Sequence, residues 1–351
     1  MDILTHIVIG ASSSVVLFED QLGKRTALVG GLAALVPDVD TLLTLFYDQA
    51  DSLLLHRGLS HSIFFILFLS ASTSILLRLR NNSNPIRWGM VVFVALTSHV
   101  LLDVMTSYGT RILHPFSDSQ FSIGNINVVD PVFTVPALMG LLLYLFSKKA
   151  PSKRKIANLT GLGISLIYAM LTLFNYLHVK HLFIDTFARA NIVPERVVVI
   201  PSSAGSFYWH GIAVTSAGWV VGDYSVFDKD NNISLVSYQS DNSLLNSFDT
   251  DIMEKVMRYV DGVFLTREEE GKVRVYHLKC HLTQGYELDP SPSTAFIELS
   301  KSDEGRTILE SKMMVTKTHD KQLFTSRWKR VFGHKLSDVG TFTTNPSKLV
   351  Q

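Results

Sequence analysis

Residues 63–77, IFFILFLSASTSILL, contain no charge, and directly before them stand residues 56–62, HRGLSHS. A bilayer-spanning helix needs roughly 17–25 mainly apolar residues, and this run with its continuation to residue 79 meets that need. Two histidines and an arginine therefore crowd the mouth of a segment suited to lipid. Composition agrees with a membrane setting: 47% of residues are hydrophobic and 18% charged, against about a quarter charged in soluble domains. The formal net charge of +1 gives no electrostatic footprint for nucleic acid. The single cysteine, Cys280, excludes an internal disulfide framework and any cysteine metal cluster.

Working outward, six segments read as spanning or half-spanning helices: about 3–18, 26–46, 63–79, 87–106, 131–147 and 156–177. The first is expected to be a retained helix, because Asp2 stands where a cleaved signal would be basic and His6 interrupts the apolar run. Lys24 and Arg25 fall between the first two segments, Arg78, Arg80 and Arg87 between the third and fourth, and Lys148, Lys149, Lys153, Arg154 and Lys155 between the last two. The other loops, 47–62 and 107–130, hold only Arg57 and Arg111. Six alternating crossings put all the basic loops on the cytoplasmic side. The expected architecture is a multi-pass inner-membrane helical bundle (residues 1–180) followed by a small extracytoplasmic α+β domain (181–335) and a polar tail (336–351).

The ionisable residues within the segments then converge on the outer face. Asp2 and His6 lie at the outer end of the first helix, Asp38 and Asp40 of "PDVD" in the outer half of the second, and His56 and His61 in the outer loop. His99 and Asp103 lie in the outer half of the fourth. Such residues are expensive in a membrane and mark function. His99 and Asp103 are spaced i, i+4 and share one helical face, as do Asp2 and His6. Imidazole nitrogen with carboxylate oxygen suits zinc first, and also manganese or iron(II). Five residues turn an ideal helix by about 140°, so His56 and His61 meet only across a turn, which Gly58 is placed to supply. Ser60 or Ser62 can cap the following helix. Pro37 breaks the helical ladder and frees Asp38 and Asp40 from a regular spiral.

The blocks "DILTHIVIG", "LVPDVD", "HRGLSHS" and "SHVLLDVMTSYGTRILHPFS" resemble, in order, those of the YdjM-like membrane-bound metal-dependent hydrolases, over about residues 1–147. The resemblance implies an integral membrane protein with a hydrolase site, distantly similar to the zinc-dependent phospholipase C group. His6, Asp38, Asp40, His56, His61, His99 and Asp103 match the family's polar positions as candidate metal residues. Asp130 before Pro131 resembles the family's Asp-Pro at a helix start, where it also serves as a cap.

A hydrolytic site of this kind assigns Asp38 or Asp40 as general base and Arg57 as the holder of an anionic phosphate. Its position favours membrane lipid or another amphipathic, phosphate-containing substrate. The alternatives are a transporter or metal permease, or a non-catalytic anchor with a structural metal. A permease should carry polar residues through both leaflets, whereas the cytoplasmic halves hold Ser and Thr but no His or Asp. A zinc protease is excluded by the absence of HExxH.

Beyond residue 180 the pattern becomes short and alternating. "RVVVIPS", "FYWHGIAVT" and "GWVVGDYSVFD" read as strands, with Ala217-Gly218 making a hairpin. An amphipathic helix is expected over 243–260, a second hairpin at Glu270-Gly271, and a further strand at "TAFIELS". Phe207, Tyr208, Trp209, Trp219 and Tyr224 fall at strand spacing and are expected in the core.

Overall fold

A computed structural model describes residues 1–202, 205–279, 295–302, 304–313 and 329–334. Cys280 and the polar tail lie outside these residues. The chain divides into two compact units: Met1–Asp48 with Leu54–Thr172, and Gln49–Leu53 with Leu173–Gln351.

The first unit is helical. Helix α1 (Ile3–Leu22) starts where the Asp2 carboxylate accepts from the Thr5 backbone N–H at 3.0 Å, and ends at Gly23, whose φ is 72°. Helix α2 (Arg25–Ala33) stops before Pro37. The expected single segment 26–46 then continues as a 3-10 turn (Pro37–Val39), the one-turn α3 (Asp40–Leu43) and a second 3-10 turn (Thr44–Phe46). Proline cannot donate to the helical ladder, which accounts for the break. Part of the expected loop 47–62 is instead helix α4 (Gln49–Leu55). A 3-10 turn (Leu59–His61) precedes α5 (Ile63–Leu79), and Ser62 caps α5 by accepting from Phe65 N–H at 3.1 Å. Helices α6 (Pro85–Met105) and α7 (Pro131–Phe146) both begin on a proline, and Asp130 caps α7 through Val132 and Phe133 N–H. Helix α8 (Pro151–Arg189) runs 39 residues, well past the expected end at 177.

Small residues bring these helices together. A Cβ on Gly30 would lie 2.7 Å from the Gly10 carbonyl oxygen, and one on Gly161 would lie 2.3 Å from that of Pro136. Such close backbone contacts are the usual means of helix association in lipid. Asp2 N–H donates to Val128 C=O at 3.0 Å, and the hydroxyls of Thr5 and Thr134 are 2.7 Å apart. The starts of α1 and α7 are thereby held at one end of the bundle, while Lys155 of α8 pairs with Asp20 of α1 at the other.

Among the described residues three helices, α1, α6 and α8, are long and apolar enough to cross a membrane. The count rises to five when each bent pair, Arg25–Ala33 with Pro37–Phe46 (42°) and Gln49–His61 with Ile63–Leu79 (52°), is taken as one span. Helix α7 is apolar but has 16 residues, about 24 Å at 1.5 Å per residue.

The second unit contains two four-stranded antiparallel sheets in sequence order. The first comprises β1 (Arg196–Pro201), β2 (Tyr208–Thr215), β3 (Gly218–Ser225) and β4 (Leu235–Gln239). The second comprises β5 (Phe264–Glu269), β6 (Lys272–His277), β7 (Ala295–Lys301) and β8 (Thr307–Met313). Both expected hairpins are present, while β4 and β8 were not expected. Alternation along the strands feeds two cores. Ile212, Trp219 and Val221 pack toward Leu265, Tyr276 and Phe296 of the second sheet. Trp209, Ala213 and Val220 face the opposite way, onto Val179, Phe183 and Phe187 of α8.

The second sheet is covered on its outer face by α9 (Thr250–Val260), whose Val256 and Val260 meet Val273, Val275 and Ile297. Ala50 and Leu53 of α4 join that cluster. The helix expected over 243–260 is split, because Asp249 caps α9 through Asp251 N–H after a 3-10 turn at Asn242–Ser247. The unit is thus a helix–sheet–sheet–helix stack. Tyr208, Trp209, Trp219 and Tyr224 are buried in it, as their spacing implies.

Candidate metal centre

The broken end of α2, the turn before α5 and the end of α6 bring Asp38, Asp40, His56, His61, His99 and Asp103 together. His61, His99 and Asp103 are at most 1% exposed, Asp40 is buried, and the Asp38 side chain is the most open of the carboxylates at 21%.

The tautomers of the two central histidines follow from their partners. His99 Nδ1 is 2.7 Å from the carbonyl oxygen of Ala34 at the broken end of α2, so that nitrogen carries the proton and donates it. His61 Nδ1 is 2.9 Å from Ser60 Oγ and 3.3 Å from Asp40 Oδ2, and Ser60 itself donates to Asp40 Oδ2 at 2.5 Å. His61 Nδ1 therefore also donates. Each ring is left with its Nε2 lone pair directed inward, and the two Nε2 atoms are 3.1 Å apart. Histidine ligands of metals are commonly held this way, through the far nitrogen.

Two carboxylate oxygens close the arrangement. His61 Nε2 is 3.7 Å from Asp38 Oδ1 and 3.3 Å from Asp103 Oδ2; His99 Nε2 is 3.5 Å from each. Donors about 2.0–2.1 Å from a tetrahedral ion are separated by about 3.3–3.4 Å, and the separations from the two Nε2 atoms, 3.1 to 3.7 Å, bracket that spacing. This buried His/Asp group can hold a metal ion.

The remaining expected site residues are placed around it. A second group, Asp40 with His56 and His61, is close enough to bind an ion. However, both Asp40 oxygens are already engaged: His56 Nδ1 lies 2.8 Å from Oδ1, and Ser60 Oγ and Arg57 N–H reach Oδ2. His56 is the solvent-facing member. Arg57 points inward, donating to Asp103 Oδ1 at 3.0 Å and Thr106 Oγ1 at 3.1 Å, with its guanidinium 5.2 Å from the centre of the Tyr108 ring.

The turn that sequence assigned to Gly58 is carried by Arg57, whose φ is 61°. Gly58 instead provides room, since a Cβ there would lie 3.0 Å from Leu55 O and 3.1 Å from Arg111 Nη2. His6 is buried beside the group, stacked on His99 with ring centroids 3.6 Å apart, but is not one of the four converging residues. His114 pairs with Asp118 at 3.3 Å, which gives it a local role. Ser60 and Thr106 were not read as site residues. Ser60 had a signal, its position beside His61, but the Ala34 carbonyl is backbone and leaves none in the sequence.

A helical bundle of long apolar segments with a buried His/Asp cluster at one end defines a membrane protein with a candidate metal centre. The chain belongs to the YdjM inner membrane protein family, whose pattern matches residues 1–179. It is 30% identical over 152 residues to the uncharacterized protein YfhP of Bacillus subtilis (strain 168), covering 41% of this chain and 46% of YfhP. It is 28% identical over 121 residues to the inner membrane protein YbcI of Escherichia coli (strain K12), covering 34% of this chain and 70% of YbcI. The chain thus spans about half the length of YfhP. No solved structure matches it.

Proposed function

We propose that the protein is a membrane-bound metal-dependent hydrolase whose His/Asp centre lies at the outer membrane–water boundary and acts on a phospholipid or another amphipathic phosphodiester. One observation carries the reading. Two imidazole lone pairs face each other at 3.1 Å beside two carboxylate oxygens, an arrangement that repels itself until a cation sits inside it.

Asp38, His61, His99 and Asp103 would hold a divalent ion, zinc by donor set, which would supply a water acidified toward a pKa of about 7 and a Lewis acid for a phosphoryl oxygen. The chain's own groups divide the remaining work. Asp40 and Ser60 orient His61, and Ala34 orients His99. Asp38, the more open of the two carboxylates, accepts the proton from the attacking water. Arg57 fixes Asp103 and is the nearest guanidinium to a substrate phosphate.

Location supports an amphipathic substrate. Leu42, Leu43 and Leu59 are exposed on the same short elements that carry Asp40 and His61, and Leu45 and Phe46 are exposed on the turn that follows Asp40–Leu43. The helix directions at the starts of α1 and α7 fit six alternating crossings, with the β unit outside and the zone of Lys153–Lys155 in the cytoplasm. A permeation path is disfavoured, because deeper polar side chains serve helix contacts. Asn158 donates to Ser12 C=O at 3.0 Å, and Ser165 donates to Phe133 C=O at 2.6 Å.

The test is turnover of vesicle-borne phosphatidylcholine and a soluble phosphodiester by detergent-purified protein. Metal-dependent hydrolysis favouring the lipid, lowered about 100-fold or more in Asp38→Asn, is expected. Turnover that persists in a chelator, or in His61→Ala and Asp103→Ala, contradicts the proposal.

A further inference from the structure

His6 is the buried histidine that the four-residue group leaves unused. It is 1% exposed, its Nδ1 has no hydrogen-bond partner among the described residues, and its Nε2 has only Asp103 Oδ1, 3.4 Å away. Buried imidazoles ordinarily find one, so such an orphan calls for an explanation.

Its geometry is informative. The His6 ring lies on the His99 ring with centroids 3.6 Å apart and planes 19° from parallel. An imidazole lone pair lies in the plane of its ring. Two nearly parallel, stacked rings therefore aim their lone pairs side by side, and one ion cannot occupy both planes at bonding distance. Both Nε2 atoms face the same carboxylate, but different oxygens of it. His99 Nε2 is 3.5 Å from Asp103 Oδ2, and His6 Nε2 is 3.4 Å from Asp103 Oδ1. Two imidazoles side by side, each opposite one oxygen of a shared carboxylate, form half of a carboxylate-bridged pair of cation sites. The stacking distance also falls in the range of about 3.5–4 Å that separates the ions of two-metal hydrolytic centres.

We propose that the centre is dinuclear. It takes one divalent ion at Asp38, His61, His99 and Asp103 Oδ2, and a second at His6 Nε2 and Asp103 Oδ1. The proposal rests on the metal reading above and extends it. The second position has fewer protein donors, so its ion is the weaker and more exchangeable, with coordination sites open to a phosphate oxygen. Positive charge already lies at this oxygen, since the Arg57 guanidinium is 3.0 Å from Oδ1. The second ion shares Oδ1 with this guanidinium, which is a further reason for its weaker hold.

The experiment is a titration of metal-stripped, detergent-purified full-length protein with Mn2+, read by free-ion counting and by electron paramagnetic resonance. The wild type should bind two equivalents in two steps. The second should convert the six-line spectrum of an isolated ion into the broadened spectrum of a spin-coupled pair. His6→Ala should retain the tight equivalent and lose the weaker one, and His6→Gln, which keeps more of the ring's bulk, should do the same. A wild type that stops at one equivalent overturns the dinuclear proposal and leaves the mononuclear reading standing, as does a His6→Ala variant that still shows the coupled spectrum. A wild type that binds none removes both.

Discussion

The two units bury charge in opposite ways. In the β unit, buried ionic groups meet opposite charge directly. Arg330, 7% exposed, donates to Asp223 at 2.8 Å and to Asp228 at 2.6 and 2.9 Å, and Glu298 receives Lys272 and Lys312 at 2.6 Å and Arg274 at 3.2 Å. In the helical unit, Asp103 Oδ1 also meets Arg57 at 3.0 Å, but its Oδ2 and Asp38 Oδ1 face imidazole nitrogens whose protons point away. The first pattern completes itself and serves stability. The second needs something added, and a cation is what its donors accept. Burial alone therefore does not mark function; the informative feature is burial with the partner missing.

This contrast can be broken most sharply at the centre. Asp103→Ala should reduce the metal content of purified protein to background while leaving the β unit folded. Asp40→Ala should do less. Because Asp40 orients His61 without joining the four converging donors, its loss should weaken metal affinity by about 10–100-fold, measured by competition with a chromogenic chelator. Equal loss in both variants would make Asp40 a ligand.

In the β unit the expected cost is stability instead. Arg330→Ala leaves Asp223 and Asp228 without their cation, and removing one partner of a buried pair costs about 3–5 kcal/mol, read as a lower unfolding midpoint with unchanged metal content. Lys272→Ala should cost under about 1 kcal/mol, since the lysine side chain is 42% exposed and such pairs are screened.

Acidity offers a further test. Burial pushes His210 down to about 4 and His277 down to about 3. Both are neutral when folded and take up protons near pH 6.5 when unfolded, so the unfolded state binds more protons and stability rises with pH in this window. The unfolding midpoint of the β unit should fall steadily from pH 7 toward pH 4. His277→Asn should flatten that slope, and an unchanged slope would contradict the assignment.

Much of this contrast was legible in the sequence. His99 and Asp103 follow from helical spacing, and Pro37 explains how Asp38 leaves a regular helix. Those are local properties, and local rules found them. The division of labour was not legible, because it depends on contacts far apart in the chain. Asp40 is engaged by Ser60 and His56, residues 16 or more positions away, and His99 is oriented by a backbone carbonyl at residue 34. Gly58 was expected to supply the turn between His56 and His61, yet the left-handed residue there is Arg57, whose side chain reaches inward to Asp103 and Thr106. Helix α4 was missed because QADSLLL has only a short apolar face, and that face is buried by Val256 and its neighbours some 200 positions on.

The central claim is that four side chains converge to hold a metal ion. Its most direct test is elemental analysis of the detergent-purified protein beside a His99→Ala variant prepared identically. The account predicts at least one tightly held divalent ion per wild-type chain, zinc foremost, and background levels in His99→Ala. A folded wild type that neither retains nor rebinds a stoichiometric divalent ion would contradict it.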